Sequence, residues 1–580
     1  MSLANQFQPT LGRRAFLGLG AASLLTLSAC GKHSASSSSS NSSEGTPDAN
    51  QELNLVLPSD LKTLDVNDIR NANEFLVLSE VQEGLFRTFT GDDGTDDVEC
   101  AGCESYDVSD DGLTYTFHLR ENTWSDGKPV TAQQYVDSIL RLVDPANGFS
   151  YSFMASDIEG AEAFMDGEGA ADAIAVSAPD EKTLTIKLAN AVPFFIAKLA
   201  NLCFCPIRKD LIDANGDGMA NDYQKQVYCG PFVISERVND NSVTLTPNDK
   251  YWDKGSVKLQ KVTYTIVDEE STQSQLLSSK GLDAVDGTTE YVSQWKKLAE
   301  KGQLSYTSKG DGSSNYLAYN MHTGGPSGLM NNVKCRLAIS LAFDRDDFNN
   351  TIYSGLNTPA YGLIPGGIKS GDDEFRSVAE EPLKAVLDQY GSADKVASLF
   401  KEGAAEVKGS DDLSGVNLEI LSQQTNTQTK NLTEWLSQKI GGTLGVEVTI
   451  NAQSETASFV SERNAGNYDF YVMGWNADYS DPLTFFDLFC TGSGYAKYMG
   501  GYSNADYDAD YASLSTTTDQ ATRTETYKRL EKNLVQNAGV APLYYGTRNE
   551  FQQAYVKDLS LPQFGTAFEV KVAYISGKSA

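Results

Sequence analysis

Short segments of alternating apolar and polar residues lie between longer segments with helical periodicity. Residues 113–119 (LTYTFHL) and 242–246 (SVTLT) alternate with a period of two, as half-buried strands do. Residues 131–140 begin with a threonine that can cap a helix, and 332–348 and 522–537 also have helical spacing. No fixed-period repeat and no phosphate-binding loop are present, so the pattern predicts an α/β body without a nucleotide fingerprint.

Length and charge narrow the classes of function. The chain has 580 residues, 40% of them hydrophobic and 10% aromatic, which is enough to bury the cores of two or three domains. It has 46 basic and 78 acidic residues, for a net charge of −32. This charge repels both the phosphate backbone of nucleic acids and anionic membrane surfaces, so we expect no nucleic-acid partner.

The N-terminus has the pattern of an export signal. Residues 13–17 (RRAFL) resemble a twin-arginine motif, and 27–30 (LSAC) resemble the lipobox of bacterial lipoproteins. The apolar run 16–27 has about half of the roughly 20 residues that a membrane-spanning helix needs. We therefore predict that 1–29 is a signal peptide and that a lipid is attached to Cys30. The alternative is an unlipidated signal peptide with an incidental cysteine.

The segment that follows is serine-rich. Residues 30–51 contain too few apolar groups to fold, so we expect a flexible tether, with the folded body starting near Glu52. The expected location is the outer face of the bacterial cell membrane, where the lipid anchors an exported protein.

The cysteines remaining after Cys30 are odd in number, so at least one thiol is free or pairs with something else. They are Cys100, Cys103, Cys203, Cys205, Cys229, Cys335 and Cys490. Outside the reducing cytosol we expect local disulfides. The alternative is a zinc site in which Cys100 and Cys103 join Cys203 and Cys205 as four thiolate ligands.

Five segments, in order along the chain, carry a resemblance to a known family. They are LTYTFHLRENTWSDGKPVTAQQYVDS (113–138), VYCGPFVISERVNDNSVTLTPNDKYWD (227–253), YLAYNMHTGGPSGLMNNVKCRLAISLAFDRDDF (316–348), PAYGLIPGG (359–367) and YDFYVMGWNADYSDPLTFFDLF (468–489). The chain resembles the extracellular solute-binding proteins of ABC importers, in the large oligopeptide and dipeptide class. The resemblance implies an α/β, two-lobed fold of the type II periplasmic-binding-protein kind, a peptide ligand and a membrane permease as partner.

The resemblance also implies an extra subdomain inserted in the first lobe. The expected boundaries are 52–86, 190–310 and 546–580 for lobe one, 87–189 for the inserted subdomain and 311–545 for lobe two. The composition independently favours a crossover at 309–314 (KGDGSS), which is polar and precedes an apolar stretch.

The last of the five segments contains the main candidate site. A protein that binds peptides of varied sequence must bind an ammonium and a backbone, and a fixed carboxylate suits the ammonium. By resemblance, Asp478 has that role. Trp475 is a flat wall of the cleft or a core residue, and Trp475, Asn476 and Ala477 offer main-chain groups to an extended ligand.

Other candidate contacts are further away in sequence. Arg70, Asn71 and Ala72 match an extended segment of the family on the other side of the cleft, or form a solvated loop. Well-known oligopeptide binders have a basic residue where this chain has Val472. Arg463 resembles another basic position of the family and is the candidate for the ligand carboxylate, a group that its forked guanidinium suits; a surface salt bridge is the alternative.

One loop has the opening of a calcium-binding motif. Asp213, Asn215 and Asp217 alternate as oxygen ligands, with glycine at the sixth position. The twelfth position is Gln224 instead of glutamate, so a turn-rich surface loop is the simpler interpretation.

These observations favour a monomeric peptide-binding lipoprotein without a cofactor. The alternative within the family is a non-peptide solute: an oligosaccharide, haem or a metal complex. Direct metal capture is disfavoured because the only histidines are His33, His118 and His322. An enzyme is disfavoured because the chain has neither a Gly-x-Ser-x-Gly elbow nor a His-Glu-x-x-His motif.

Overall fold

The structure is a computed structural model that describes residues 45–91, 95–287, 289–424, 426–493, 496 and 499–578. The predicted signal peptide, Cys30 and most of the predicted tether lie outside the described residues.

The strands of the described part of the chain follow in order. They are β1 (Glu52–Leu57), β2 (Phe86–Thr90), β3 (Asp96–Cys100), β4 (Cys103–Val108), β5 (Thr114–Leu119), β6 (Val176–Asp180), β7 (Thr183–Lys187), β8 (Phe232–Val238), β9 (Ser242–Pro247), β10 (Lys261–Ile266), β11 (Ala284–Asp286), β12 (Leu304–Tyr319), β13 (Thr358–Pro359), β14 (Lys369–Ser370), β15 (Asp373–Glu374), β16 (Asn417–Gln423), β17 (Glu447–Gln453), β18 (Phe470–Asn476), β19 (Val540–Gln553), β20 (Val556–Lys557) and β21 (Tyr574–Ile575).

The α-helices of the same part lie between and after these strands. They are α1 (Ala72–Val81), α2 (Ala132–Leu142), α3 (Ala161–Met165), α4 (Phe195–Lys198), α5 (Lys209–Asn215), α6 (Glu270–Ser278), α7 (Val292–Glu300), α8 (Val333–Leu341), α9 (Arg345–Tyr353), α10 (Phe375–Val378), α11 (Pro382–Tyr390), α12 (Ala393–Lys408), α13 (Thr427–Leu444), α14 (Thr456–Ala465), α15 (Leu483–Phe486), α16 (Ala505–Ser513) and α17 (Gln520–Gln536).

Three sheets organise the body. The first has the order β1-β10-β9-β8, with β1 parallel to β10 and the other pairs antiparallel. Its core includes Leu55, Val262 and Phe232. Another sheet has the order β4-β5-β7-β6, and its core includes Phe117 and Ile139 on α2. These two sheets have separate hydrophobic cores, whereas the central sheet is buried on both faces: Tyr316 and Leu317, which are neighbours on β12, belong to different clusters.

The central sheet has the order β11-β19-β12-β18-β16-β17. Its strands β12 and β19 are long and antiparallel, and their register shifts between Gly310 and Ser314. One end of the pair lies beside β11, where Asp283 N–H donates to Asn54 C=O of β1 at 2.7 Å. The other end lies beside β18. The two strands therefore connect the part of the molecule around the first sheet with the part around β16 to β18.

The strands predicted at 113–119 and 242–246 correspond to β5 and β9, and the helices predicted at 131–140 and 522–537 correspond to α2 and α17. The single helix predicted at 332–348 is wrong. Asn332 caps α8, and Asp344 caps a second helix, α9. A carboxylate at an N-cap binds main-chain N–H groups, which starts a new helix there.

The folded body begins earlier than Glu52. Asp48 N–H donates to Ile575 C=O at 2.9 Å, and the Gln51 amide donates to the same carbonyl at 2.8 Å. The end of the predicted tether is therefore attached to the C-terminal residues.

Local disulfides do not form among Cys103, Cys203, Cys205 and Cys229, whereas Cys100 is disulfide-bonded. Cys103, Cys203 and Cys205 are buried thiols, and Cys229 is a fourth. Burial raises the pKa of each of these thiols, because a thiolate is poorly solvated in an apolar core. The described residues hold no group of three or more side chains suited to a metal ion, which also disfavours the zinc alternative. In the same part of the chain, every helix is too short or too polar to cross a membrane.

Candidate functional site

A cavity of about 220 Å³ lies between residues from both predicted lobes. One wall comes from β3 and from the segment 193–201, which contains α4. The opposite wall comes from Lys369 on β14, the loop 478–481 and Gln520 at the start of α17. We call this space the Asp478 cavity, after the predicted ligand-binding aspartate that lines it.

The loop that carries Asp478 is fixed at both ends. Before it, β18 pairs with β12, and Ala477 N–H donates to Gly312 C=O at 3.1 Å. Asp478 N–H itself donates to the Thr484 hydroxyl at 3.2 Å. After it, the Asp481 carboxylate accepts at 2.9 Å from the N–H of Leu483, the first residue of α15. The position of Asp478 therefore follows from a strand end and a helix start.

Asp478 is a half-buried carboxylate without a hydrogen-bond partner for its side-chain oxygens among the described residues. Burial raises its pKa to about 7, and the nearby Lys198 ammonium acts in the opposite direction. A carboxylate in such surroundings gains most from a cation that brings its own hydrogen-bond donors.

Lys198, at the end of α4, is the cation whose charge lowers the pKa of Asp478. It is only 5% exposed and forms an ion pair with Asp157. Its ammonium also lies 5.6 Å from the centre of the Tyr479 ring. Burial, together with the charge of Asp478, raises the pKa of Asp487 well above its ordinary value. The carboxyl groups of Asp157, Asp478 and Asp487 all interact with the Lys198 ammonium. Negative groups therefore outnumber positive ones in this region.

Trp475, Asn476 and Ala477 occupy the end of β18. The Trp475 ring is half-buried and packs against the core cluster that contains Phe485. Asn476 is exposed and Ala477 is buried. On the other edge of β18, β16 pairs only with Phe470 and Tyr471. The roles of these three residues in ligand binding stay predictions.

The structure places Arg463 away from the Asp478 cavity. It lies in the last turn of α14, and its guanidinium carbon is 6.0 Å from the centre of the Phe459 ring. It also lies beside the Tyr471 hydroxyl, whose pKa burial raises. Its proposed contact with a ligand carboxylate stays a prediction that this geometry does not favour.

Arg70, Asn71 and Ala72 are likewise not brought together with Asp478. Arg70 is ion-paired with Asp68 at 2.5 Å, and it lines a separate cavity of about 610 Å³. Asn71 caps α1 through its side chain, and Ala72 is the first residue of that helix. Helix capping explains the extended backbone at Asn71 without a ligand, so their contact with ligand stays a prediction.

The calcium interpretation is not favoured. Asp213 and Asn215 lie in α5, where Asp213 pairs with Lys209 at 2.7 Å and the Asn215 amide donates to Leu211 C=O at 2.9 Å. A helix does not present alternate side chains to one ion as a calcium loop does.

Sequence reasoning missed several residues that line or border the Asp478 cavity. Phe194, Lys198 and Lys369 belong to segments without a recognisable motif. The run PFFIAK (193–198) begins with a proline and signals a buried turn of helix, but nothing in it points to Asp478. Only the fold brings these segments together.

Comparison with known proteins agrees with this architecture. Residues 98–497 match the family model of bacterial extracellular solute-binding proteins, family 5. The dipeptide-binding protein DppE of Bacillus subtilis is 27% identical over 485 residues, which are 83% of this chain and 84% of that protein.

Solved structures give the same result. The substrate-binding domain of an oligopeptide ABC transporter from Bacillus anthracis is 28% identical, with a TM-score of 0.74, covering 91% of this chain and 99% of that one. Listeria monocytogenes OppA bound to peptide is 26% identical, also with a TM-score of 0.74, covering 91% and 100%. The prediction of an α/β, two-lobed fold of the periplasmic-binding-protein kind is confirmed.

Proposed function

Since the chain belongs to the bacterial extracellular solute-binding proteins of family 5, we propose that it captures peptides between its lobes and delivers them to the permease of an ABC importer. The observation that carries this proposal is the Asp478 carboxylate, which lines the Asp478 cavity and has no hydrogen-bond partner for its side-chain oxygens among the described residues. The relatives named for dipeptide and oligopeptide binding support a peptide as the ligand.

The ammonium of the peptide binds to Asp478. A charge-assisted hydrogen bond in a partly desolvated site is roughly twice as strong as a neutral one. A neutral sugar would leave this carboxylate without a cation, so the electrostatics favour a peptide over an oligosaccharide.

The peptide backbone extends along β18. Because β16 pairs with β18 only at Phe470 and Tyr471, an extended ligand can add to the same edge further along, near Asn476. Main-chain hydrogen bonds of this kind depend little on side-chain identity, which suits a protein that binds varied peptides.

Binding is coupled to closure of the two lobes. The Asp478 cavity has walls from both lobes, so a ligand in it makes its full set of contacts only when they are closed. Those contacts shift the hinge equilibrium toward the closed form. We assign 52–86, 190–310 and 546–580 to lobe one, 87–189 to its inserted subdomain and 311–545 to lobe two.

Residues 1–29 direct export by the twin-arginine route, and a lipid on Cys30 holds the protein at the outer face of the membrane. The serine-rich segment separates the body from that surface. The protein acts as a monomer that binds its ligand and returns it unchanged, as a transport protein does.

Native mass spectrometry of the full-length protein, purified in mild detergent from its host, tests the function. We expect retained masses that fragment into amino-acid ladders. A single retained non-peptide mass, or failure to bind any added peptide, would contradict the proposal.

A further inference from the structure

Four aspartates and one lysine line the Asp478 cavity, and two of the four carboxylates already have strong partners within the fold. Asp96 is buried and accepts from the Lys309 ammonium at 2.6 Å. Asp481 accepts from the Tyr527 hydroxyl at 2.8 Å and from Leu483 N–H at 2.9 Å. These two groups are therefore committed to the fold, and a ligand gains little from them.

The remaining charged groups are Asp478, Asp97 and Lys369. The Lys369 ammonium lies 2.9 Å from Asp97, whose side chain is 57% exposed. An ion pair this open to solvent contributes little to stability, because water competes for both partners. A ligand carboxylate that enters the cavity can therefore take the place of Asp97 at little cost.

The main chain holds Lys369 close to the loop that carries Asp478. Lys369 N–H donates to the Ser480 hydroxyl at 3.1 Å, two residues after Asp478. Among the described residues that line the cavity, Lys369 is the only lysine or arginine. The cavity thus presents one available carboxylate and one available ammonium, both on the lobe-two wall.

The volume of the cavity limits what can lie between these charges. About 220 Å³ is below the roughly 300–1,000 Å³ of typical small-molecule sites. A long peptide would have to leave the cavity, whereas a peptide of about two or three residues, each spanning at most roughly 3.3–3.6 Å, remains compatible with it.

We propose that Lys369 binds the C-terminal carboxylate of the ligand, so that the site selects short zwitterionic peptides of two or three residues. This inference rests on the proposed function and adds the ligand class to it. It also replaces Arg463 as the carboxylate contact, because Arg463 does not line the cavity.

Isothermal titration calorimetry of the full-length protein in detergent tests this assignment. The probes are trialanine, its C-terminal amide and hexaalanine. In the unmodified protein we expect amidation to weaken trialanine binding about tenfold or more, because a charge-assisted contact is lost. In Lys369→Met the two forms should bind within about twofold of each other.

Three further variants separate the explanations. Lys369→Arg keeps the charge and should keep the preference for the free carboxylate, which also checks that position 369 tolerates substitution. Lys384→Met removes an exposed, ion-paired lysine elsewhere on lobe two and should change nothing. If Arg463→Met abolishes the preference while Lys369→Met keeps it, the assignment to Lys369 is wrong.

Peptide length gives an independent result. Hexaalanine that binds as tightly as trialanine would overturn the size limit. If neither peptide binds to the unmodified protein, the proposed peptide-binding function itself fails. If both bind and amidation has no effect, only the inference about Lys369 fails.

Discussion

Phe194 and Tyr479 stack across the space between the lobes, with ring centres 5.0 Å apart and ring planes 6° from parallel. Two cations extend this stack. The Arg523 guanidinium carbon lies 5.6 Å from the Phe194 ring, and the Lys198 ammonium lies 5.6 Å from the Tyr479 ring. Successive members come from alternate predicted lobes, so we expect the stack to form only when the lobes are closed.

Replacing Phe194 with alanine should therefore weaken peptide binding by destabilising the closed form. An aromatic pair contributes about 0.5–1.5 kcal/mol beyond the area that it buries, so we expect affinity to fall by about twofold to tenfold. Calorimetry with the native ligand measures it. Phe164→Ala is the matched control, because Phe164 packs at the edge of the same core cluster without lining the cavity. Equal losses in the two variants would contradict a role in closure.

Asp478→Asn should weaken binding of a free-amine peptide far more than binding of its N-acetylated form. The variant keeps the size of the side chain and removes the charge that pairs with the ammonium. Hydrogen bonds to charged groups contribute about 1.5–3 kcal/mol, so a loss of roughly tenfold or more is expected for the free amine alone. Competition binding with both peptides measures the difference. Asp213→Asn, on the distant helix α5, is the control, and equal losses for both peptides in Asp478→Asn would exclude the ammonium role.

Cys30→Ser should release the protein from the membrane. Cys30 is the predicted acceptor of the lipid, and serine lacks the thiol to which the lipid is attached. Cell fractionation followed by immunoblotting should find the variant in the soluble exported fraction and the unmodified protein in the membrane fraction. Cys335→Ser is the control, because Cys335 is a buried thiol in the folded body. A variant that remains in the membrane fraction would contradict lipid attachment at this residue.

Local patterns predicted the elements of the body better than they predicted its site. The period-two segments became β5 and β9, because alternation follows directly from a sheet with one buried face. Asp478 was predicted from its family motif, and the strand end and helix start on either side of it fix its position beside the cavity. Lys198 and Lys369 were missed, since their importance comes from residues more than a hundred positions away.

The helix predicted at 332–348 failed for a related reason. Its apolar spacing continues through Phe343, but the Asp344 side chain accepts a hydrogen bond from Asp347 N–H and ends the continuous run. The sequence pattern alone does not distinguish an aspartate that caps a helix from one inside a helix. Only the packing of α8 and α9 against the rest of the protein decides between them.

Arg376→Met should strongly destabilise the folded protein. Arg376 pairs with Glu531, which is buried and also accepts from Leu363 N–H at 2.7 Å and Ile364 N–H at 3.0 Å. Removing one partner leaves a buried carboxylate uncompensated, which costs about 3–5 kcal/mol. Chemical denaturation measures the free energy of unfolding. Arg529→Met is the control on the same helix as Glu531, because its pair with Asp510 is exposed and contributes about 0–1 kcal/mol.

Peptide affinity should rise with pH through neutrality. The pKa of Asp478 in the folded protein is raised to about 7, so at pH 5.5 most of the ligand-free protein has this carboxyl protonated. The ammonium binds the ionised form, and proton loss therefore precedes binding. Below the pKa of Asp478, each decrease of one pH unit should lower the peptide affinity by up to about tenfold. The rise levels off above the pKa of Asp478, and affinity falls again where the peptide's own amine deprotonates, near pH 8. Titrations from pH 5.5 to 7.5 measure the slope, which should vanish for an N-acetylated peptide and in Asp478→Asn. An unchanged slope in that variant would assign the titration to another group.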